Sequence, residues 1–311
     1  MTDRITLREV GLRDGLQIVR TIVPTARKIE WIREEHAAGV REIEVCSFVP
    51  ARLIPQFADA AEVVAAALDT PGLTVSALVP NLKGAQRGAE SGVHKLNVVM
   101  SVSESHNLAN VRRTVRESLE DFRAIVAMAR ALPAQRRPKI SGGLSTSFGC
   151  TIEGTVPEDR VVELAVLLAE AGADEIVVAD TVGYAGPAAV ERVFRRVLAA
   201  LPSLPVIAHF HDTRGLGLAN AAAALTAGVR HFDATLAGLG GCPHAPGATG
   251  NVVMEDLAFL CATMGFETGV DIPALVRVRR ILAETLPDER LAGAIALAGL
   301  PREAAAASAA R

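Results

Sequence analysis

Ala171-Gly172-Ala173-Asp174-Glu175-Ile176 decides the fold, because the chain repeats its grammar three more times. Ala38-Gly39-Val40-Arg41-Glu42-Ile43, Ser91-Gly92-Val93-His94-Lys95-Leu96 and Ala227-Gly228-Val229-Arg230-His231-Phe232 follow the same pattern. A small residue and a glycine stop a helix, and a few polar residues lead into an apolar, β-favouring run. Glycine suits the stop because it takes the left-handed conformation at little steric cost. The four glycines are unevenly spaced, which excludes a solenoid. What repeats is a strand–helix unit with loops of variable length.

Working outward from these units, alternation and β-branched runs predict strands at 5–10, 42–49, 73–79, 96–102, 139–145, 175–180, from 206, and at 231–237. Amphipathic spacing predicts helices at 25–38, 55–68, 82–91, 107–132, up to 171, 187–201, 216–227 and 251–264. Thr155 and Glu158 have capping-box spacing ahead of the fifth of these. Eight units in about 265 residues fit a (β/α)8 barrel. The competing doubly wound sheet would place Gly-x-Gly-x-x-Gly after its first strand, and none is there. Further amphipathic helices are expected at 272–286 and at 288–300, the latter with Asp288 as its N-cap. The expected organisation is therefore a TIM barrel with extra C-terminal helices. Residues 1–270 form the catalytic barrel, 271–301 a helical extension packed on it, and 302–311 an alanine-rich, frayed tail.

The totals agree with a globular α/β protein. The chain has 311 residues, half of them hydrophobic, with 32 basic against 35 acidic side chains. No basic block interleaved with aromatics points to nucleic acid, and no apolar run has the length of a membrane span. Cys46, Cys150, Cys242 and Cys261 are scattered, with no Cys-x-x-Cys pair. That spacing predicts a reducing, cytoplasmic setting rather than a disulfide framework. A strand-like segment so close to Met1 predicts no signal peptide.

The polar residues gather where such a barrel keeps its active site, at the C-terminal ends of the strands. Strand one ends in Arg13-Asp14 within Gly11-Leu-Arg-Asp-Gly-Leu-Gln17. Strand two carries Glu44 and Ser47, and strand six ends at Asp180-Thr181. Strand seven is Val206-Ile-Ala-His209-Phe-His211-Asp212. Residues two apart on a strand share a face, so both imidazoles aim at one point and Phe210 faces away. Strand eight runs into Gly238-Leu-Gly-Gly-Cys242-Pro-His-Ala-Pro-Gly-Ala-Thr-Gly-Asn251, a glycine-rich segment able to close as a lid.

Each piece has a plainer reading. Glu44 and Arg13 could be structural partners, Asp14 a turn residue, Asp180 a strand-end cap and Asn251 a helix cap. Cys242 could be an inert small hydrophobe. Taken together, Asp14, His209, His211 and Asn251 offer two nitrogens, two hard oxygens and no thiolate. That set favours octahedral Mg²⁺ or Mn²⁺ over a closed zinc site. It would suit a substrate presenting a hydroxyl beside a carboxylate or carbonyl.

The motifs at 11–17, 43–49, 79–84, 208–213 and 238–251 resemble those of 3-hydroxy-3-methylglutaryl-CoA lyases, in the same order, from about residue 5 to 270. The last motif is specific to the lyases. The first and the His-x-His are shared with a wider metallolyase superfamily that includes isopropylmalate and homocitrate synthases. The resemblance implies a (β/α)8 barrel that splits 3-hydroxy-3-methylglutaryl-CoA into acetyl-CoA and acetoacetate, as in leucine breakdown. It implies Asp14, His209, His211 and Asn251 as ligands of a divalent cation. Arg13 would stabilise the thioester enolate, and Cys242 would protonate it. Glu44 and Asp180 would support proton transfers, with Gln17, Ser47 and Thr181 contacting substrate. An acyl-CoA partner and a homo-oligomer, dimer or tetramer, are expected.

Three positions depart from the family pattern. Leu12 stands for a frequent proline, Phe210 for a cysteine and Arg214 for a tyrosine. Phe210 should face away from the metal with little consequence, whereas the change at Arg214 near the mouth bears on the acyl group rather than the chemistry, so a different 3-hydroxyacyl-CoA fits as well. The rivals are a condensing enzyme of the same superfamily and a non-catalytic barrel that binds CoA esters. The condensing enzymes lack the Gly-Gly-Cys-Pro loop and carry long C-terminal extensions.

Overall fold

In the computed structural model, which describes residues 3–241 and 250–302, eight parallel strands close into a barrel in chain order. They are β1 (Thr6–Glu9), β2 (Glu42–Ser47), β3 (Thr74–Val79), β4 (Lys95–Ser101), β5 (Lys139–Ser145), β6 (Glu175–Asp180), β7 (Val206–Phe210) and β8 (His231–Ala234). The helices between them are α1 (Thr25–Ala37), α2 (Ala60–Leu68), α3 (Leu82–Glu90), α4 (Glu104–Val111), α5 (Val115–Arg130), α6 (Glu158–Glu170), α7 (Pro187–Ala200) and α8 (Gly217–Ala227). After the barrel come α9 (Met254–Thr263), α10 (Ile272–Thr285) and α11 (Ala294–Ala298). The (β/α)8 expectation is met strand for strand.

The apolar core lies between the barrel and its helices. Trp31, Phe122, Phe194, Phe210 and Phe232 are all buried there. Phe210 leaves the barrel interior to pack edge-on against Phe194, with ring centroids 6.0 Å apart. Alternation thus sends its neighbours His209 and His211 inward.

The barrel interior, by contrast, is charged at its floor. Arg8 donates to Asp233 at 2.7 Å and to Glu175 at 2.5 Å. Lys95 donates to Glu175 at 2.7 Å and to Glu42 at 2.6 Å. Buried charges persist only when paired in this way. Burial raises the carboxyls of Asp233 and Glu175, yet the adjacent cations hold both at about 2.

Four local expectations change. The helix foreseen over 107–132 is two, because Arg112 turns left-handed (φ 58°) between α4 and α5. Thr114 then starts α5 with a full capping box on Glu117. At Thr155 no such box forms, because α6 begins at Glu158 behind Pro157. The segment 55–68 opens with a 3-10 turn, Pro55–Phe57, before α2.

Only Ala294–Ala298 of 288–300 is helical. Gly293 adopts φ 128°, and the amide of Ala292 bonds the Ala237 carbonyl instead of a helix partner. α10 lies on α1, where Arg280 donates to Glu30 at 2.8 Å.

Candidate active site

The end of β1 begins the site. Gly11–Gly15 winds as a single wide π-helical turn, in which the amides of Arg13, Asp14 and Gly15 all bond the carbonyl of Val10. Glycine is required at its start, since a Cβ on Gly11 would collide with a Glu9 carboxyl oxygen. The turn throws Arg13 and Asp14 onto the barrel mouth side by side. Arg13 Nη1 donates to Asp14 Oδ1 at 2.7 Å, and its Nε donates to Glu44 on β2. The other Glu44 oxygen accepts from Asn97 Nδ2 at 2.7 Å. Glu44 and Arg13 are therefore partners, and both line the cavity.

β7 supplies the histidines. His209 Nδ1 faces Asp233 Oδ2 at 3.1 Å, which assigns its proton to that nitrogen and leaves Nε2 as the acceptor. His209 Nε2 in turn faces His211 Nε2 at 3.1 Å. Two ring nitrogens so close need a proton or a cation between them. Asp14 Oδ2 stands 3.7 Å from His211 Nε2, and one ligand atom from each of the three residues lies within 4.8 Å of the others.

Titration suits ligation. Burial pushes Asp14 up, but Arg13 and the two histidines bring it down to about 2. Burial drives His211 down to about 4, so its ring is neutral at physiological pH. Burial also lowers His209, but Asp233 more than offsets it, and the net shift is upward.

Asn251 completes the cluster. Its Nδ2 donates to Asp14 Oδ2 at 2.7 Å and to the Leu239 carbonyl at 3.3 Å. The backbone delivers it there. Asp212 N bonds Gly250 O at 2.9 Å and Val252 N bonds Phe210 O at 3.1 Å, stitching the segment onto the end of β7. The stems of the glycine-rich loop touch, since a Cβ on Gly250 (φ 113°) would run into the Gly238 carbonyl oxygen. Cys242 lies outside the described residues.

The remaining expected residues divide. Gln17 and Thr181 line the cavity. Ser47 does not; its Oγ accepts from its own turn at Val49 N, 3.2 Å away. Asp180 is placed differently from these. Val177, Ala179 and Thr181 alternate into the cavity, which turns Asp180 outward. Its carboxylate accepts from Tyr184 N at 2.8 Å and Ala185 N at 3.0 Å. Burial pushes it up to about 6 despite those amides. It holds the loop after β6 through those amides.

The sequence reading missed Asp233, Asn97 and Arg8. Asp233 carried the same signal as Glu44, an acid at an inward position of an apolar strand. The cavity over the cluster has a volume of about 970 Å³ and runs from the histidines past His106 to Arg112 and Arg113.

Comparison with known proteins gives this geometry its context. The HMGL-like family matches residues 4–282. The chain belongs to the HMGL-like family. A hydroxymethylglutaryl-CoA lyase of Bacillus subtilis is 38% identical over 91% of this chain and 93% of its own. A 3-hydroxy-3-isohexenylglutaryl-CoA/hydroxy-methylglutaryl-CoA lyase of Pseudomonas aeruginosa is 40% identical over 88% and 90% of the two chains. An HMG-CoA lyase of Acinetobacter baumannii, solved with coenzyme A and 3-methylmalate, superposes with a TM-score of 0.90. It is 40% identical and covers 97% of both chains. This HMGL-like protein is a lyase, and Asp14, His209 and His211 form a cluster able to hold a metal ion.

Proposed function

We propose that this lyase cleaves 3-hydroxy-3-methylglutaryl-CoA, or a close 3-hydroxyacyl-CoA, into acetyl-CoA and a keto acid such as acetoacetate. We infer that it works with Mg²⁺ or Mn²⁺ held by Asp14, His209, His211 and Asn251. The carrying observation is the convergence of those four side chains beside the Arg13–Glu44 pair at the mouth of one cavity.

A bound cation would chelate the substrate's hydroxyl and carboxylate and lower the cost of removing the hydroxyl proton. The chain's own groups do the rest. Asp14 is ionised and His211 neutral at working pH, the states ligation needs. Asp233 fixes the ring of His209. Arg13, braced by Glu44 and Asp14, presents its guanidinium where the thioester oxygen gains charge as the carbon–carbon bond breaks. Glu44 lines the cavity and serves the proton transfers, with Asp180, placed by motif, in support. Cys242, placed by motif alone, supplies the proton to the enolate carbon once the loop excludes water.

Among the described residues no helix is long and apolar enough to cross a membrane. The reading assigns the protein to the cytoplasm as a homo-oligomer acting on soluble acyl-CoA.

The test is incubation of the purified chain with Mg²⁺ and 3-hydroxy-3-methylglutaryl-CoA, assayed for acetoacetate. Product should form, stop on chelation and resume when Mg²⁺ or Mn²⁺ is restored. Absence of product with this substrate and related hydroxyacyl-CoAs would favour a CoA-ester-binding barrel.

A further inference from the structure

β5 lines the cavity with Ser141, Gly143, Leu144 and Ser145, of which the alternating positions 141, 143 and 145 form a column without a large side chain. Gly143 sits in register between Val99 of β4 and Val177 of β6. Its backbone does not call for glycine. Its φ lies outside the left-handed region, and it is in the middle of a strand, where glycine weakens the structure.

Packing is tight on the β4 side, where Val99 would have to give by a few tenths of an ångström. The three atoms nearest a Cβ there would be Val99 Cγ2 at 3.3 Å, Val98 O at 3.5 Å and Val99 Cα at 3.8 Å. All belong to β4, and Gly143 itself lines the cavity. Gly142 faces the other way, where its Cβ would press on Leu168 at 3.1 Å in the outer core. What Gly143 contributes is volume. The space it leaves is walled by Val99, Val177 and Ala179, all apolar, within the same cavity as His209 and Asp14.

In an eight-stranded ring β5 lies opposite β1. The recess therefore faces the Arg13–Asp14 turn across the barrel. On the reading proposed above, the substrate's tertiary carbon has its hydroxyl and carboxylate arm committed to the Asp14–histidine side. Its thioester arm is committed to Arg13. The fourth substituent, a methyl group in 3-hydroxy-3-methylglutaryl-CoA, is then directed across the barrel toward β4–β6.

We infer that the recess at Gly143, between Val99 and Val177, receives this substituent and admits unbranched alkyl chains several carbons long, so that Gly143 sets the acyl range. The inference rests on the lyase reading. The reaction is unchanged: the bond from the tertiary carbon to the thioester's α-carbon breaks and the hydroxyl proton leaves. The α-carbon keeps the electron pair and takes up a proton, giving acetyl-CoA and a 3-keto acid that carries the longer chain.

The test compares 3-hydroxy-3-methylglutaryl-CoA with 3-hydroxy-3-butylglutaryl-CoA on the Mg²⁺-loaded protein, Gly143→Ala and Val177→Leu. Folding of each variant is checked by its thermal melt. The natural chain should cleave both substrates. Each variant narrows the recess from a different wall, so each should lower the butyl-to-methyl ratio of kcat/KM about tenfold or more.

A merely structural role for Gly143 would depress both substrates alike and leave the ratio unmoved. The inference is overturned if the natural chain cleaves the methyl substrate but not the butyl one, or if folded variants keep the ratio. If neither substrate is cleaved, the lyase reading itself fails and takes the inference with it.

Discussion

Asp233 decides which nitrogen of His209 is available to a cation. It accepts from His209 Nδ1 and is itself held by Arg8 at 2.7 Å. Asp233→Asn should therefore weaken Mn²⁺ binding about 10–100-fold by calorimetry, with the fold intact. Unchanged affinity would mean that the His209 ring is positioned by packing alone. Cys242 is the complementary case. If it donates the proton to the enolate, Cys242→Ala should cut turnover by roughly 10²- to 10⁴-fold while Mn²⁺ affinity stays near that of the natural chain. Equal loss of both in the same assays would make the loop a structural element.

At the scale of elements, the joints between strands and helices carry the most readable energetics. Thr114 and Glu117 form a complete capping box at the start of α5. Thr114→Ala should cost about 1 kcal/mol in a denaturant titration. A second joint ties α1 to the barrel through carboxyl groups. Glu35 of α1 is fully buried beside Glu9, whose oxygens accept from the amides of Gly11 and Leu236. Burial pushes Glu35 up to about 8. A carboxyl raised on folding stabilises the protein below its unfolded value, and that stability is lost as pH rises through the folded value. The melting temperature should thus fall between about pH 4.5 and pH 8, and Glu35→Gln should flatten that fall. An identical slope in the variant would place the titration elsewhere.

The same joints show what the sequence could and could not announce. Strand order and helix stops were legible, because Gly39, Gly92, Gly172 and Gly228 each take the left-handed conformation that ends a helix. The break at Arg112 was not, since a non-glycine residue is held left-handed only by the tertiary contacts around it. The spacing at Thr155 misled because Pro157 already opens α6. At the site, the period of two placed His209 and His211 together, and the strand-end rule gathered Asp14, Glu44 and Asn251. The same period, applied to β6, would have turned Asp180 outward. Asp233 was legible by the rule that singled out Glu44; its partner Arg8, 225 positions away along the chain, was not.

Taken whole, the molecule spends its barrel floor on charge pairs and its mouth on a cluster drawn from the segments after β1, at β7 and after β8. A cation that binds only the folded chain adds stability by mass action, about 2.7 kcal/mol at a hundredfold excess over Kd. Saturating Mn²⁺ should accordingly raise the melting temperature by several degrees, and chelation should reverse it. The most direct measurement is a Mn²⁺ titration of the metal-stripped chain, followed by electron paramagnetic resonance and calorimetry, for the natural chain and for His211→Ala. The account predicts one saturable site per chain, lost in His211→Ala while the fold melts as before. No saturable site, or equal binding by both proteins, would contradict it.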